Sequence, residues 1–111
     1  MTAHAERGMD APPEVVFNTA TDPDRVGAWL PAPLRTDGGT PARVTGALGA
    51  HWETRGSPNW SARLQVRSTD AGGANVRLEL EADQPDRGLD RLADESLVNL
   101  AREVAENLTP G

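Results

Sequence analysis

The chain has 111 residues, 37% of them hydrophobic, which is room for a single cored domain over 1–111. Its 11 basic side chains stand against 17 acidic ones, and the net charge of −6 argues against nucleic-acid binding, which needs a basic face to neutralise phosphates. There is no cysteine, hence no disulfide, thiolate metal site or thiol nucleophile, and no run approaches the roughly 18 apolar residues of a membrane span. No basic segment followed by an apolar run opens the chain, so the expected location is cytoplasmic. Arg supplies every cation, and Ile and Tyr are absent, a usage that fits a GC-rich genome.

Residues 3–9 are too polar to assign on their own pattern. Asp10 is a candidate helix cap, with Pro12 and Pro13 suited to a first turn and Glu14 placed for the helix dipole. The short helix carries Val15, Val16, Phe17 and Ala20. Asp22-Pro23-Asp24 repeats the device, and Val26, Trp29 and Leu30 then fall at i, i+3 and i+4 on one stripe, which Pro31 and Pro33 end.

Asp37-Gly-Gly-Thr-Pro41 has turn chemistry. Residues 43–48 and 50–55 read as strands, with Gly46 and Gly49 marking a bend or bulge, and 56–59 reads as the next turn. Trp60, Ala62, Leu64 and Val66 alternate with Ser61, Arg63, Gln65 and Arg67, the period of a half-buried strand. A hairpin turn at 70–73 leads into 74–82, where Val76, Leu78 and Leu80 alternate with Arg77, Glu79 and Glu81. Outward Arg63 and Arg67 are expected to face Glu79 and Glu81 across the strands. Residues 86–108 form one long amphipathic helix: Leu89, Leu92, Ala93, Leu97, Leu100, Ala101, Val104, Ala105 and Leu108 recur at spacings of three and four, and Pro110 and Gly111 stop it.

Two proline-started helical segments, the second ending in Trp29-Leu30, then alternating strands, then one long closing helix: this order resembles the START-like superfamily, also called SRPBCC, the polyketide cyclase/dehydrase and lipid-transport group. The resemblance spans nearly the whole chain. It implies an α+β helix-grip fold, in which a curved antiparallel sheet wraps a long C-terminal helix and two short helices follow the first strand. Residues 3–9 are then that first, edge-like strand. Ligand-carrying members of the group usually have six or seven strands, whereas five or six can be placed here. The shortening argues against carriage of a large lipid and leaves a sheet edge that a homodimer could cover.

Trp29 matches the group's Asp-Pro…Trp element, whose ring plugs the sheet beside a cavity mouth; structural anchoring and ligand stacking are both open to it. Trp52 and Trp60 share the inward phase across a turn, and a cross-strand aromatic pair is one arrangement open to them. His51 stands in the outward phase with Glu53 and Arg55, which disfavours it as a general base, and His4 is far from it. Two distant histidines without cysteine give no metal site. Asp83, Asp86, Asp90, Asp94 and Glu95 are read as ordinary dipole compensation at a helix start. Asn99, beside the apolar stripe, could hydrogen-bond a ligand or sit on a solvated flank, while Arg43, Arg63, Arg67 and Arg77 point outward by alternation. No nucleophilic triad order and no phosphate- or dinucleotide-binding glycine loop is present.

The leading expectation is therefore a small apolar or aromatic ligand held between sheet and C-terminal helix without a cofactor. Its lining would be Phe17, Trp29, Trp52, Trp60, Leu64, Leu78, Leu97, Asn99, Leu100 and Val104. The alternatives are a non-enzymatic interaction or dimerisation module of the same fold, and a polyketide cyclase/dehydrase-type enzyme. The inward phases lack the acid–base groups that such an enzyme needs, so the reading leans away from catalysis.

Overall fold

The computed structural model describes residues 2–22, 24–30, 34, 43–44, 48–53, 60–70, 72–82 and 88–108. In chain order these form β1 (Thr2–Met9), α1 (Pro13–Thr21), α2 (Val26–Trp29), β2 (Arg43–Val44), β3 (Gly49–Glu53), β4 (Trp60–Ser68), β5 (Ala74–Ala82) and α3 (Leu89–Leu108). Among the described residues the strands make one antiparallel sheet in the order β1-β5-β4-β3-β2. Pro23, Pro31, Pro33, the turns at 37–41 and 56–59, Gly46, Arg55, Asp83, Asp86 and the stop at 110–111 lie outside the described residues.

Alternation decides which face of the sheet is buried. On β4 and β5 the side chains of Ala62, Leu64, Val66, Ala74, Val76, Leu78, Leu80 and Ala82 are buried, and the interleaved polar residues are not. β1 follows the same rule with Ala3, Ala5 and Met9 buried, but Arg7, which shares their phase, is exposed. All three helices lie on this inner face. α3 packs along β1 and β5, α1 lies over β4 and β5, and α2 brings Trp29 onto Trp52 of β3.

Local chemistry departs from expectation at several points. Asp10 does not cap α1. The cap position is Pro12, whose φ of −58° and ψ of 143° are extended, and its carbonyl accepts from the Val15 and Val16 amides at 3.0 and 3.2 Å. A residue before proline is driven out of the helical region, so the Pro12-Pro13 pair allows the helix to begin only at Pro13. Asp22 ends α1 rather than capping α2, whose cap position is Arg25. The Asp22 carboxylate still accepts from the Asp24 amide at 2.9 Å, the local turn its side chain favours.

The strand expected over 43–48 is described only as Arg43–Val44, and the bend falls on Leu48, with φ of 55°, rather than on Gly49. The Leu48 carbonyl there accepts from the Val66 amide at 3.0 Å, and its half-buried side chain packs on the core. Helix α3 is described from Leu89, residues 86 and 87 of the expected helix lying outside the described residues, and the Gly88 carbonyl accepts from the Leu92 amide at 2.8 Å.

Register settles the outer face. Arg63 is opposite Glu79 as expected, but Arg67 is opposite Asn75, and Glu81 is opposite Ser61. Among the described residues the ion pair on this face is Arg77 with Glu6 at 3.9 Å, exposed on both sides and therefore of small net value.

The β4–β5 hairpin closes through Thr69, whose amide donates to the Gly73 carbonyl at 3.0 Å and whose Oγ1 accepts from the Gly73 amide at 3.1 Å. Gly72 supplies the left-handed φ of 85°. Gly73 runs so close to the end of β1 that a Cβ there would stand 2.7 Å from the Met9 carbonyl oxygen. Backbone cannot move aside cheaply, so Gly73→Ala is expected to destabilise the protein by about 1–3 kcal/mol. Gly27→Ala, whose Cβ meets nothing within 4 Å on α2, is expected to be neutral or to stabilise by up to about 1 kcal/mol. Urea unfolding monitored by circular dichroism checks both.

Candidate functional site

The inner face is built in transverse rows that end on a small residue at β1. Trp52, Ala62, Leu80 and Ala3 make one row, and Ala50, Leu64, Leu78 and Ala5 the next. Small residues on β1 admit α3, which offers Ala93 and Ser96 among its buried positions, with Leu89, Leu97, Leu100 and Val104 alongside. The Ser96 hydroxyl donates to the Leu92 carbonyl at 2.8 Å, so its burial leaves no unpaired donor.

Trp29 is wholly buried. Its indole Nε1 donates to the Ala20 carbonyl at 3.1 Å, and its ring meets Trp52 edge-on, with centroids 5.4 Å apart and planes at 80°. One side chain thus joins the end of α1, α2 and β3. The aromatic partner of Trp52 is Trp29. Trp60 lies on the diagonal, because Trp52 is opposite Ala62 and Trp60 opposite Ala82.

Two polar contacts hold the short helices to α3. The Asn107 Nδ2 donates to Thr19 Oγ1 at 3.1 Å, and that hydroxyl donates in turn to the Val15 carbonyl at 2.8 Å. The Arg25 guanidinium donates to Glu103 Oε1 at 3.3 Å with both groups partly shielded. Among the described residues no buried side-chain polar atom lacks a partner.

The residues expected to line a ligand site come together on this face, at different depths. Trp29, Leu64, Leu78 and Leu100 are in contact with protein all round and present no surface that water could touch; Leu97 is nearly so. Phe17, Trp52 and Val104 are buried with a few per cent of their surface showing, whereas Trp60 and Asn99 are half-buried. The centre of the face is thus filled, partly by α1 and α2, and access is left at its margin. Both histidines lie on the other face: His4 opposite Glu79, and His51 opposite Arg63. Among the described residues no three His, Asp or Glu side chains converge as metal ligands, and no helix is long and apolar enough to cross a membrane.

A separate open cleft of about 350 Å³ lies at the corner where β1 turns into α1, lined by Gly8–Pro12 and by Thr69, Gly72, Gly73 and Ala74 of the hairpin. None of the ten expected lining residues borders it. Its only signals in the sequence are the Pro12-Pro13 corner and the Gly72-Gly73 pair, each readable there as nothing more than a turn.

No family model and no curated protein matches this sequence. Solved structures do. The chain is similar to a START superfamily protein from Mycobacterium smegmatis, at 14% identity and a TM-score of 0.68 over 97% of this chain and 99% of that one. It is similar also to the di-domain ARO/CYC BexL from the BE-7585A biosynthetic pathway, at 18% identity and a TM-score of 0.74 over 99% of this chain and 48% of that one. A third is the Aha1 dimer from Colwellia psychrerythraea, at 14% identity and a TM-score of 0.67 over 100% of this chain and 99% of that one. The protein has a START-like, helix-grip fold. Likeness at these identities fixes the fold and leaves the activity to be argued from the site.

The Trp29 anchor gives a direct test. Trp29→Phe keeps a ring but removes the buried hydrogen bond and some volume, and is expected to cost about 1–3 kcal/mol. Trp29→Ala is expected to cost about 3–5 kcal/mol. Denaturant midpoints, with the slope checked for two-state behaviour, measure both.

Proposed function

We propose that this protein binds a small apolar or aromatic molecule between the inner face of the sheet and α3, seated against Trp60. The observation that carries the reading is the position of Trp60. It shares the inward phase of a strand whose other inward residues up to Val66 are buried, yet it is only half-buried itself. It stands at the end of β4 beside Ala82, on the diagonal from the Trp29–Trp52 pair. A large aromatic surface left half-covered beside a packed aromatic floor suits a planar apolar ligand. The filled centre supports a small ligand over a long lipid. Phe17, Trp29, Trp52, Leu64, Leu78, Leu97, Leu100 and Val104 would act as floor and frame, and half-buried Asn99 as a polar contact.

Binding is favoured over turnover by what the inner face carries. The Thr19 and Ser96 hydroxyls both donate to helix carbonyls, Glu103 is engaged by Arg25, and the histidines stand on the outer face. No proton-transfer group is therefore aimed at the proposed seat among the described residues. BexL puts ARO/CYC chemistry on this fold in another protein.

Titration of tryptophan fluorescence with anilinonaphthalene sulfonate and a series of hydroxylated naphthalenes and anthracenes tests the reading. A saturable change is expected for at least one compound, with affinity falling about tenfold or more in Trp60→Ala, compared under conditions where circular dichroism shows the variant folded. A response that never saturates, or equal affinity in Trp60→Ala, would remove the proposal.

A further inference from the structure

β1 is the outermost strand of the sheet, eight residues long, and among the described residues it pairs on one side alone, with β5. A long exposed edge is a template for another strand unless it is guarded. At the other edge, β2 is described over Arg43–Val44. We propose that β1 is the interface for a second copy of this chain, the two strands pairing antiparallel about a two-fold axis at Ala5 so that the two sheets become one.

The register follows from charge. A two-fold axis perpendicular to the sheet keeps both α3 helices on one side and sets residue i opposite residue j of the partner with i + j even. An axis at Glu6 would place Glu6 against its own copy, and an axis at Arg7 would do the same for Arg7. An axis at His4 would set His4 against its own copy and pair only Thr2 to Glu6 within the described strand. With the axis at Ala5, Glu6 faces His4 across the interface, Arg7 faces Ala3, and Gly8 faces Thr2, so that Thr2 to Gly8 is paired throughout. Glu6 already has Arg77 on its β5 side at 3.9 Å, and its second carboxylate oxygen can serve the new neighbour.

The flank of α3 agrees with this placement. Asn107 and Glu103 tie one flank to α1 and α2, over β3, β4 and β5. At about 3.6 residues per turn, Asp90, Asp94, Val98 and Ala101 lie on the opposite flank, beside the free edge of β1. Val98 is the large hydrophobic residue most at odds with its setting, 41% exposed, while Ala101 is small and half-buried. Small side chains there let two helices approach across the axis.

Arg7 completes the match. It is the charged residue in the inward phase of β1, it is exposed, and it makes no ion pair among the described residues. β5 ends at Ala82 and α3 opens at Leu89, so the first turns of α3 lie toward Ala3. Setting Arg7 opposite Ala3 of the second copy therefore brings its guanidinium to the acidic first turns of the other α3, where Asp90 and Asp94 are exposed. The contact occurs twice by symmetry.

Sedimentation equilibrium of the full chain tests this. The wild-type chain is expected to dimerise, and Arg7→Glu or Asp94→Arg should each weaken the dimer at least about tenfold, each change acting at both copies of the contact. The double variant Arg7→Glu/Asp94→Arg should recover affinity to within about threefold of wild type, a rescue that a merely misfolded single variant would not show. Val98→Arg should weaken the dimer on its own. A chain that stays monomeric to millimolar concentration overturns the proposal, and so does a dimer indifferent to Arg7→Glu and Val98→Arg. Association that strengthens in Arg7→Ala overturns it too, because Arg7 would then be a guard of the edge.

Discussion

The close seating of α3 on the inner face of β1 is the constraint on which the remaining structure rests. It is made by what is missing: Ala3 and Ala5 on the strand and Ala93 on the helix leave room for the two backbones to approach, and the Ser96 hydroxyl turns back onto the Leu92 carbonyl instead of asking the sheet for a partner. Leu89, Leu97, Leu100 and Val104 then reach past the alanines into the core. Burial of each is worth about 1.5–3 kcal/mol, well above the few tenths that helix propensity contributes per residue. A larger residue at Ala3 or Ala5 would lift the helix and open the row shared by Trp52, Ala62 and Leu80.

Once α3 is seated, the two short helices have one place to go. The half of the face over β3 and β4 is roofed by α1 and by the Trp29 ring, and it is locked by three contacts of different character: an apolar edge-to-face pair, a buried indole hydrogen bond and a partly shielded ion pair. The first two are dry and hold the core. The Arg25–Glu103 pair is only partly shielded from solvent, and pairs of that kind contribute about 0–1 kcal/mol. The roof is therefore firm at Trp29 and lightly fastened toward α3, which places whatever adaptability the site has at the seam between the short helices and α3.

Much of this was legible in the sequence because period-two and 3.6-residue patterns report burial directly. The alternation in 60–67 and 74–82 located both long strands and their inward faces, and the stripe in the last twenty or so residues located α3. Trp29 was marked by its place after the second proline turn. The misses share a physical cause: they depend on registers and on competing local rules. Asp10 is a good cap by composition, but the steric demand of Pro12-Pro13 outranks a side-chain hydrogen bond. Trp52 and Trp60 share a phase, but only the paired register reveals that Ala62 lies opposite Trp52 and leaves that ring to Trp29. Leu48 adopts a left-handed backbone beside an available glycine, which no propensity scale anticipates; its side chain is held by the core it packs against.

The same register argument separates the two surfaces that carry the functional proposals. Trp60 is on β4, two strands in from the β1 edge, and it faces inward at the end of the sheet where β5 finishes. The β1 edge runs along the side of the sheet and involves the far flank of α3. A partner strand added at β1 would lengthen the sheet without crossing the face where Trp60 stands, so pairing leaves a ligand seat there uncovered. The two surfaces still share one element. Since α3 would border the ligand with one side and the second copy with the other, a shift of α3 against β1 is the coordinate through which binding and pairing would be linked. The alanines of β1, by setting how closely that helix sits, are where such coupling would be tuned.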